Sequence, residues 1–262
     1  MRLKLTLEYA GTRYSGWQAQ KNARTVQGEL DRAIQAATGR SDAVTAGSGR
    51  TDAGVHALQQ VAHLDLEGTP IPPETLRRRI NDELPADISV LRIEPVTRRF
   101  HARHTAIGRS YVYQIARRKT AFAKPFVWWV KDDLNLDAMR QAASGLVGHH
   151  DFQTFSDDDP TEKSTEVSVE TLDIHEDGDL LVVHIEASHF IWKMVRRIVG
   201  VLVEVGAGRL TPAQAIGFLQ ARSPIPARVT APASGLFLER VYYPDEPRDQ
   251  PVQAAVVITP SR

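Results

Sequence analysis

The stretch Gly47 to Ala57, GSGRTDAGVHA, holds a carboxylate, Asp52, directly behind Arg50 and Thr51, with Gly54 and His56 following. An aspartate close before a glycine is ordinary turn chemistry, because its side chain bonds nearby backbone and the glycine accepts positive φ. A carboxylate is also a nucleophile able to form a covalent intermediate. Residue types alone leave both roles open. Phosphate-binding readings of the loop fail: there is no Gly-Lys-Ser/Thr ending, and Gly47 and Gly49 have no third glycine at the dinucleotide-binding step.

Three further groups could take part in chemistry. Tyr111 and Tyr113 alternate on one strand and face the same way, as core aromatics or as a π face with a proton handle. Arg196 and Arg197 flank an apolar helical stripe on opposite sides, and helical geometry does not choose between them; either could be a surface arginine with a buried stem. His101, His104, His149 and His150 lack the carboxylate spacing of a metal site, and His56 fits a structural hydrogen-bonding histidine. Cysteine is absent, which excludes disulfides, thiolate nucleophiles and Cys-ligated zinc.

The elements that must position these groups follow from periodicity. Leu3, Leu5, Leu7 and Tyr9 alternate as a half-buried strand from Arg2 to Tyr9, and Thr25 caps a helix whose stripe is Val26, Leu30, Ala33, Ile34 and Ala37, stopped by Gly39. Val44 to Ser48 leads into the glycine loop, Gln59 to Leu66 and Ile88 to Pro95 read as strands, and Pro72 to Asn81 as a short arginine-rich helix. In the second half Arg109 to Arg117, Val167 to His175, Leu180 to Glu186 and Leu236 to Tyr242 are strands. Asn135 caps a helix through Val147, a long helix runs from about Ser188 to Gly206, and Thr211 and Pro212 open another. Asp157, Asp158 and Asp159 with Glu162, Glu166 and Glu170 read as a solvated acidic loop, and the end after Pro244 as loosely held. The pattern is α+β in two halves, with antiparallel or mixed sheets carrying helices on one face.

At 262 residues, 42% hydrophobic and 24% charged, the chain can bury a full core. The N-terminal residues alternate, unlike a secretion signal, and the longest apolar run, Met194 to Val205, is broken by Arg196, Arg197 and Glu204, so no membrane span is expected. The net charge of zero conceals an asymmetry: residues 1–120 carry 19 Lys and Arg against 12 Asp and Glu, and the remainder 13 against 20. Arginines cluster at Arg77, Arg78 and Arg79, then Arg98, Arg99, Arg103 and Arg109, then Arg117 and Arg118, as suits a phosphate-binding surface.

Eight segments together resemble the tRNA pseudouridine synthase A (TruA) family: SGWQAQ, TVQGEL, GRTDAGVHA, LPADISV, FHARHTAIGRSYVYQI, GHHDFQTF, HFIWKMVRRIVGVLVEVG and APASGLFLERVYYP, in order along nearly the whole chain. Two positions depart from the family pattern, Ala10 where an aspartate is usual and His104 where a phenylalanine is. The resemblance implies two ferredoxin-like, RRM-like subdomains, 1–105 and 106–245, abutting around a central basic cleft, with 246–262 as a tail.

For function it implies isomerisation of uridine to pseudouridine at positions 38, 39 and 40 of the tRNA anticodon stem-loop, in the cytoplasm, by a homodimer needing no cofactor and no metal. Asp52 would be the nucleophile, adding to C1′ of the ribose or C6 of the base, with flanking glycines letting the backbone approach the flipped nucleotide. Tyr111, first of the Tyr-x-Tyr pair, would stack on the base and take the C5 proton; the Met-Val-Arg pattern selects Arg196 to pair with Asp52. Arg197 would be a phosphate contact or plain surface. Arg50 would enter the RNA, and Thr51, His56 and Leu236 join Tyr111 and Arg50 as substrate contacts. The alternative is a non-catalytic RNA-binding or tRNA-chaperone module, for which the arginine clusters would suffice. A hydrolase would need a second placed carboxylate or a ligand set.

Overall fold

The computed structural model describes residues 1–67, 71–244, 246–248 and 251–258. In chain order it forms β1 (Arg2–Tyr9), α1 (Val26–Thr38), β2 (Thr45–Gly47), β3 (His56–Asp65), α2 (Pro73–Glu83) and β4 (Ile88–Val96). Then come β5 (Gly108–Ala116), β6 (Trp128–Trp129), α3 (Leu136–Ser144), β7 (Gly148–Asp151), β8 (Glu166–Asp177) and β9 (Leu180–Ala187). The last elements are α4 (Met194–Gly206), α5 (Pro212–Gly217), α6 (Ile225–Arg228) and β10 (Leu236–Tyr242). The α+β class read from periodicity is therefore the observed one. Two compact units divide it: Met1–Ile107 with Leu238–Pro247, and Gly108–Phe237 with the described residues from Arg248 onward.

In the first unit the period-two apolar face of β1 is fully buried at Leu3, Leu5 and Leu7. Strands run in the order β4-β1-β3-β10, with β2 also on β3. Leu5 stands opposite Ala62 on β3 and Ile93 on β4, both pairs antiparallel. Helix α1 starts where the hydroxyl of Thr25 accepts the Gly28 N–H at 3.2 Å and ends at Gly39 in the left-handed region. Its Leu30 and Ile34, with Leu76 and Ile80 of α2, complete the core. The β1–β3 register slips between Leu7, opposite Gln60, and Tyr9, opposite Ala57. Such a bulge re-aims the strand end, here the end next to the Asp52 loop.

The second unit is a β5-β9-β8-β7 antiparallel sheet with β6 parallel on β5. Helix α3 packs on α4 and β8, and α4 on α5 and α6. Most of α4 is buried, including the small Gly200 and Gly206, as expected of a helix apolar around most of its circumference.

Three sequence expectations need correction. The long helix begins at Met194, not Ser188, because Lys193 takes φ 64 and cannot continue a right-handed helix; Ser188 to Lys193 form an irregular strap instead. The acidic run is not simply solvated. Asp157 pairs with Lys193 (2.6 Å) and Arg197, Asp158 accepts the Trp192 N–H (2.9 Å) and pairs with Lys163 (3.1 Å), and Asp159 accepts from Thr161. The described part of the end after Pro244 is packed: Ile258 lies in a core cluster with Ala116, Ala123, Val127 and Leu180, the Val256 N–H reaches Gln114 Oε1 (3.0 Å), and Arg248 holds Glu186 (2.8 Å). The partners that hold this segment, Gln114, Ala116 and Glu186 among them, lie far back along the chain, so its packing is tertiary. Among the described residues no helix is long and apolar enough to cross a membrane.

Candidate active site

The Asp52 loop lies between β2 and β3, and its main chain is tied down from beneath. Ser48 donates its N–H to Val61 O (2.8 Å) and its hydroxyl to Gln60 Oε1 (2.6 Å). Gln60, fully buried, donates in turn to Gly49 O (3.3 Å) and the Tyr9 oxygen (3.4 Å), and the Tyr9 hydroxyl shares a 2.8 Å hydrogen bond with Thr51 Oγ1. Trp17 N–H donates to Thr51 O (3.1 Å), Gly54 N–H to Tyr14 O (3.3 Å), and Val55 N–H to Asp52 O (3.1 Å), closing a turn around the aspartate. A buried polar group costs free energy unless it is hydrogen-bonded, so these partners hold one loop conformation. Burial pushes the Tyr9 phenol up to about 12, keeping it neutral as a partner for Thr51 and Gln60.

Gly16 is required by this arrangement. Its φ is +88, and a Cβ there would come within 2.6 Å of Thr51 O. Part of the SGWQAQ segment therefore serves to let one stretch of backbone lie against the catalytic-candidate loop.

Above this scaffold the residues differ in what they present. Asp52 is half-buried and Arg50 exposed. Thr51 and His56 are 6% and 1% exposed. His56 Nδ1 accepts the Gly11 N–H at 3.0 Å, which is the structural use of a histidine, and Thr51 is bound to Tyr9. The loop thus leaves its guanidinium exposed and its carboxylate half-buried, and keeps its threonine and histidine buried.

In the second unit β5 separates the two tyrosines that alternation could not. Tyr113 is fully buried and donates to Pro232 O (2.8 Å); burial holds its phenol far above the usual value. Tyr111 is half-buried, with Phe190 edge-on to its ring at 4.9 Å and 82°. Leu236, at the start of β10, is buried.

The twin arginines of α4 also part. Arg196 is half-buried, its Nε donates to Ala231 O (2.7 Å), and its own carbonyl accepts the Ala231 N–H (3.0 Å). Arg197 is neither a surface residue nor placed for phosphate, contrary to expectation: it is 5% exposed, donates to Ser156 O (2.6 Å) and pairs with Asp157. Helical spacing put it on the flank of the stripe, and what buried it was the acidic loop, which the helix pattern does not contain.

The arginine clusters are partly internal. Arg77 and Arg78 pair with Glu74, Arg117 with Glu176 and Arg118 with Asp179, while Arg98, Arg99 and Arg103 are exposed. A feature that sequence reasoning missed is the aromatic strap: Phe190 against Tyr111 and Trp192 exposed beside Lys193. The signal was available in the run HFIWK, two aromatics and a lysine next to a helix start, but it was absorbed into the helix.

Comparison with known proteins gives a consistent result. A family model described as tRNA pseudouridine synthase matches residues 6–104 and 142–244. The chain is 43% identical over 245 residues to the tRNA pseudouridine synthase A of Rhodopseudomonas palustris, covering 92% of this chain and 99% of the relative. It is 41% identical over 247 residues to that of Bartonella tribocorum (92% and 99%), and 38% over 245 residues to tRNA pseudouridine synthase A 2 of Clostridium tetani (92% and 98%).

Proposed function

Because the chain belongs to the tRNA pseudouridine synthase family, it is an isomerase acting on tRNA, and we propose that its targets are uridines 38, 39 and 40 of the anticodon stem-loop, with Asp52 as nucleophile. The supporting observation is the construction of the Asp52 loop: a buried polar scaffold fixes its main chain while the carboxylate stays half-buried beside the exposed Arg50. A turn aspartate would need no such support. Preorganisation of this kind is what a nucleophile requires, since loose positioning by an ångström costs rate.

The reaction balances without any co-reactant. The target nucleotide leaves the stack, with Arg50 entering the RNA and helping to displace it. The Asp52 carboxylate adds at C1′ or C6, the C1′–N1 bond breaks, the uracil turns while held, and C5 bonds to C1′. The bond to Asp52 breaks in turn, by displacement at C1′ or elimination at C6, which regenerates the carboxylate. The C5 proton then leaves and N1 ends protonated. Tyr111 is half-buried and brings a ring for stacking and a phenol oxygen for accepting that proton, whereas Tyr113 is fully buried and committed to Pro232. Arg196 is assigned the pairing that keeps Asp52 ionised, a role the family pattern selects. Thr51, His56 and Leu236, all three buried, are assigned to substrate contact on the same reading. The same reading carries two ferredoxin-like subdomains around a basic cleft, a homodimer in the cytoplasm, and no metal or cofactor.

The test is incubation of unmodified tRNA with the parent protein and Asp52→Asn, followed by mapping of pseudouridine along the strand. The parent is expected to modify 38, 39 and 40, and Asp52→Asn to form none while keeping nearly the parent affinity, because the amide preserves shape but is a poor nucleophile. Residual turnover in the variant sinks the nucleophile; a parent that binds tRNA and modifies nothing is instead a binding module.

A further inference from the structure

The strap between β9 and α4 carries a side chain that neither the core nor the proposed chemistry explains. Along Phe190, Ile191 and Trp192 burial changes from half-buried to buried to 51% exposed, so the largest side chain of the three is the one turned to water. Its backbone is held on every side: Trp192 N–H donates to Asp158 Oδ2 (2.9 Å), and its carbonyl accepts Ser156 Oγ (3.1 Å) and Asp157 N–H (3.4 Å). The next residue, Lys193, is the sole non-glycine with positive φ among the described residues, a conformation unfavourable for a side chain with a Cβ. The Lys193 ammonium, bonded to Asp157, keeps it there and lies 4.9 Å from the Trp192 ring centroid. An unfavourable backbone conformation directly after an exposed indole is the kind of outlier that clusters at functional sites.

We propose that Trp192 is a stacking shelf for an unpaired RNA base adjoining the uridine being converted, with Lys193 fixing the ring from one side. This rests on the reading of Tyr111 as the residue that stacks on the target. Two observations favour a base over a protein partner. The strap that presents Trp192 is the one that packs Phe190 on Tyr111, so a base leaving the stack next to the target would meet the indole two residues farther along. A cation and an aromatic face together are what single-stranded nucleic acid uses, since every base has a π face and stacking tolerates any sequence. The neighbouring carboxylates do not repel RNA as free charges would: Asp157 is shared by two cations, Asp158 by Lys163 and the Trp192 N–H, and Asp159 by Thr161.

The experiment compares the parent, Trp192→Phe and Trp192→Ala for affinity to unmodified tRNA, for pseudouridine formed in a single turnover, and for mass in solution. Trp192→Ala is expected to weaken affinity about tenfold, in the range for loss of one base–aromatic stack, and Trp192→Phe to recover most of it. The parent's tryptophan fluorescence should be quenched by tRNA through a component that Trp192→Phe lacks, a readout independent of turnover and of the alanine variant's folding. Parent-like affinity in Trp192→Ala, or equal quenching in parent and Trp192→Phe, overturns the shelf. A changed mass in Trp192→Ala with unchanged affinity also overturns it, assigning the ring to a contact between copies of the chain. If the parent itself forms no pseudouridine, the proposed function fails, whereas a parent that forms it beside an indifferent Trp192→Ala refutes the shelf alone.

Discussion

Tyr111 and Tyr113 differ by two positions on one strand, yet one ring is half-buried against Phe190 and the other is fully enclosed with its hydroxyl on Pro232 O. Their substitutions should therefore fail in different assays. Tyr113→Phe removes a buried donor and leaves the Pro232 carbonyl short of a partner, for which about 1 to 2 kcal/mol of stability is expected to be lost in urea unfolding, with single-turnover chemistry near the parent's. Tyr111→Phe keeps the ring packing on Phe190 and should change stability less, while slowing the single turnover because the proton handle is gone. Equal turnover in both variants would remove Tyr111 from the proposed chemistry. The sequence could not make this distinction. Period two assigns both rings to one face, and only the chain packed over each position, 190 in one case and 232 to 235 in the other, sets their burial.

At the scale of elements, what was legible was local. The α1 cap at Thr25, the α3 cap at Asn135, the α5 start at Thr211 and Pro212 and the alternating strands all stand where side-chain chemistry put them, because each depends on residues within four positions. What was not legible depended on a partner far along the chain. The start of α4 is displaced to Met194 by Asp157 and Asp158, and Arg197 is buried by the same loop. The candidate site divides the same way: Asp52 stood out in its own motif, whereas the support from Tyr9, Trp17 and Gln60 is tertiary. The loop–helix clamp makes a prediction opposite to that for a surface arginine. Arg197→Ala would remove the buried partner of Asp157, at a cost below the roughly 3 kcal/mol of an uncompensated buried charge because Asp157 keeps Lys193 and some contact with water. Arg197 Nε is buried with no partner, so the guanidinium is not fully satisfied and Arg197→Met should recover part of the loss by packing alone. A midpoint in urea equal to the parent's for Arg197→Ala would show that the clamp contributes nothing.

Over the whole molecule the formal charge is balanced, so the response to acid is set by particular groups rather than by net repulsion. The first unit holds a run of imidazoles, His63 with His101 at 4.6 Å between ring centroids and His101 with His104 at 4.2 Å. His63 accepts the Ala102 N–H, and His101 the N–H groups of Arg103 and His104, through Nδ1 in each case, so both are placed to be neutral. Burial first, then the charges of His101 and Arg2, hold His63 below the ordinary imidazole value, against an opposing pull from Asp65. Burial, His104 and Arg2 do the same to His101. With the folded pKa below the unfolded one of about 6.5, the unfolded chain binds more protons between the two values. Stability is then complete above about pH 6.5 and declines as the pH falls through the folded values, before most carboxylates titrate. The melting temperature is accordingly expected to drop from pH 7 to 5.5, and the drop to shrink in a His63→Gln, His101→Gln variant, in which glutamine can still accept a backbone N–H. An unchanged slope in that variant would place the acid-sensitive groups elsewhere, with His189, also held low by burial and Arg109, the next to replace.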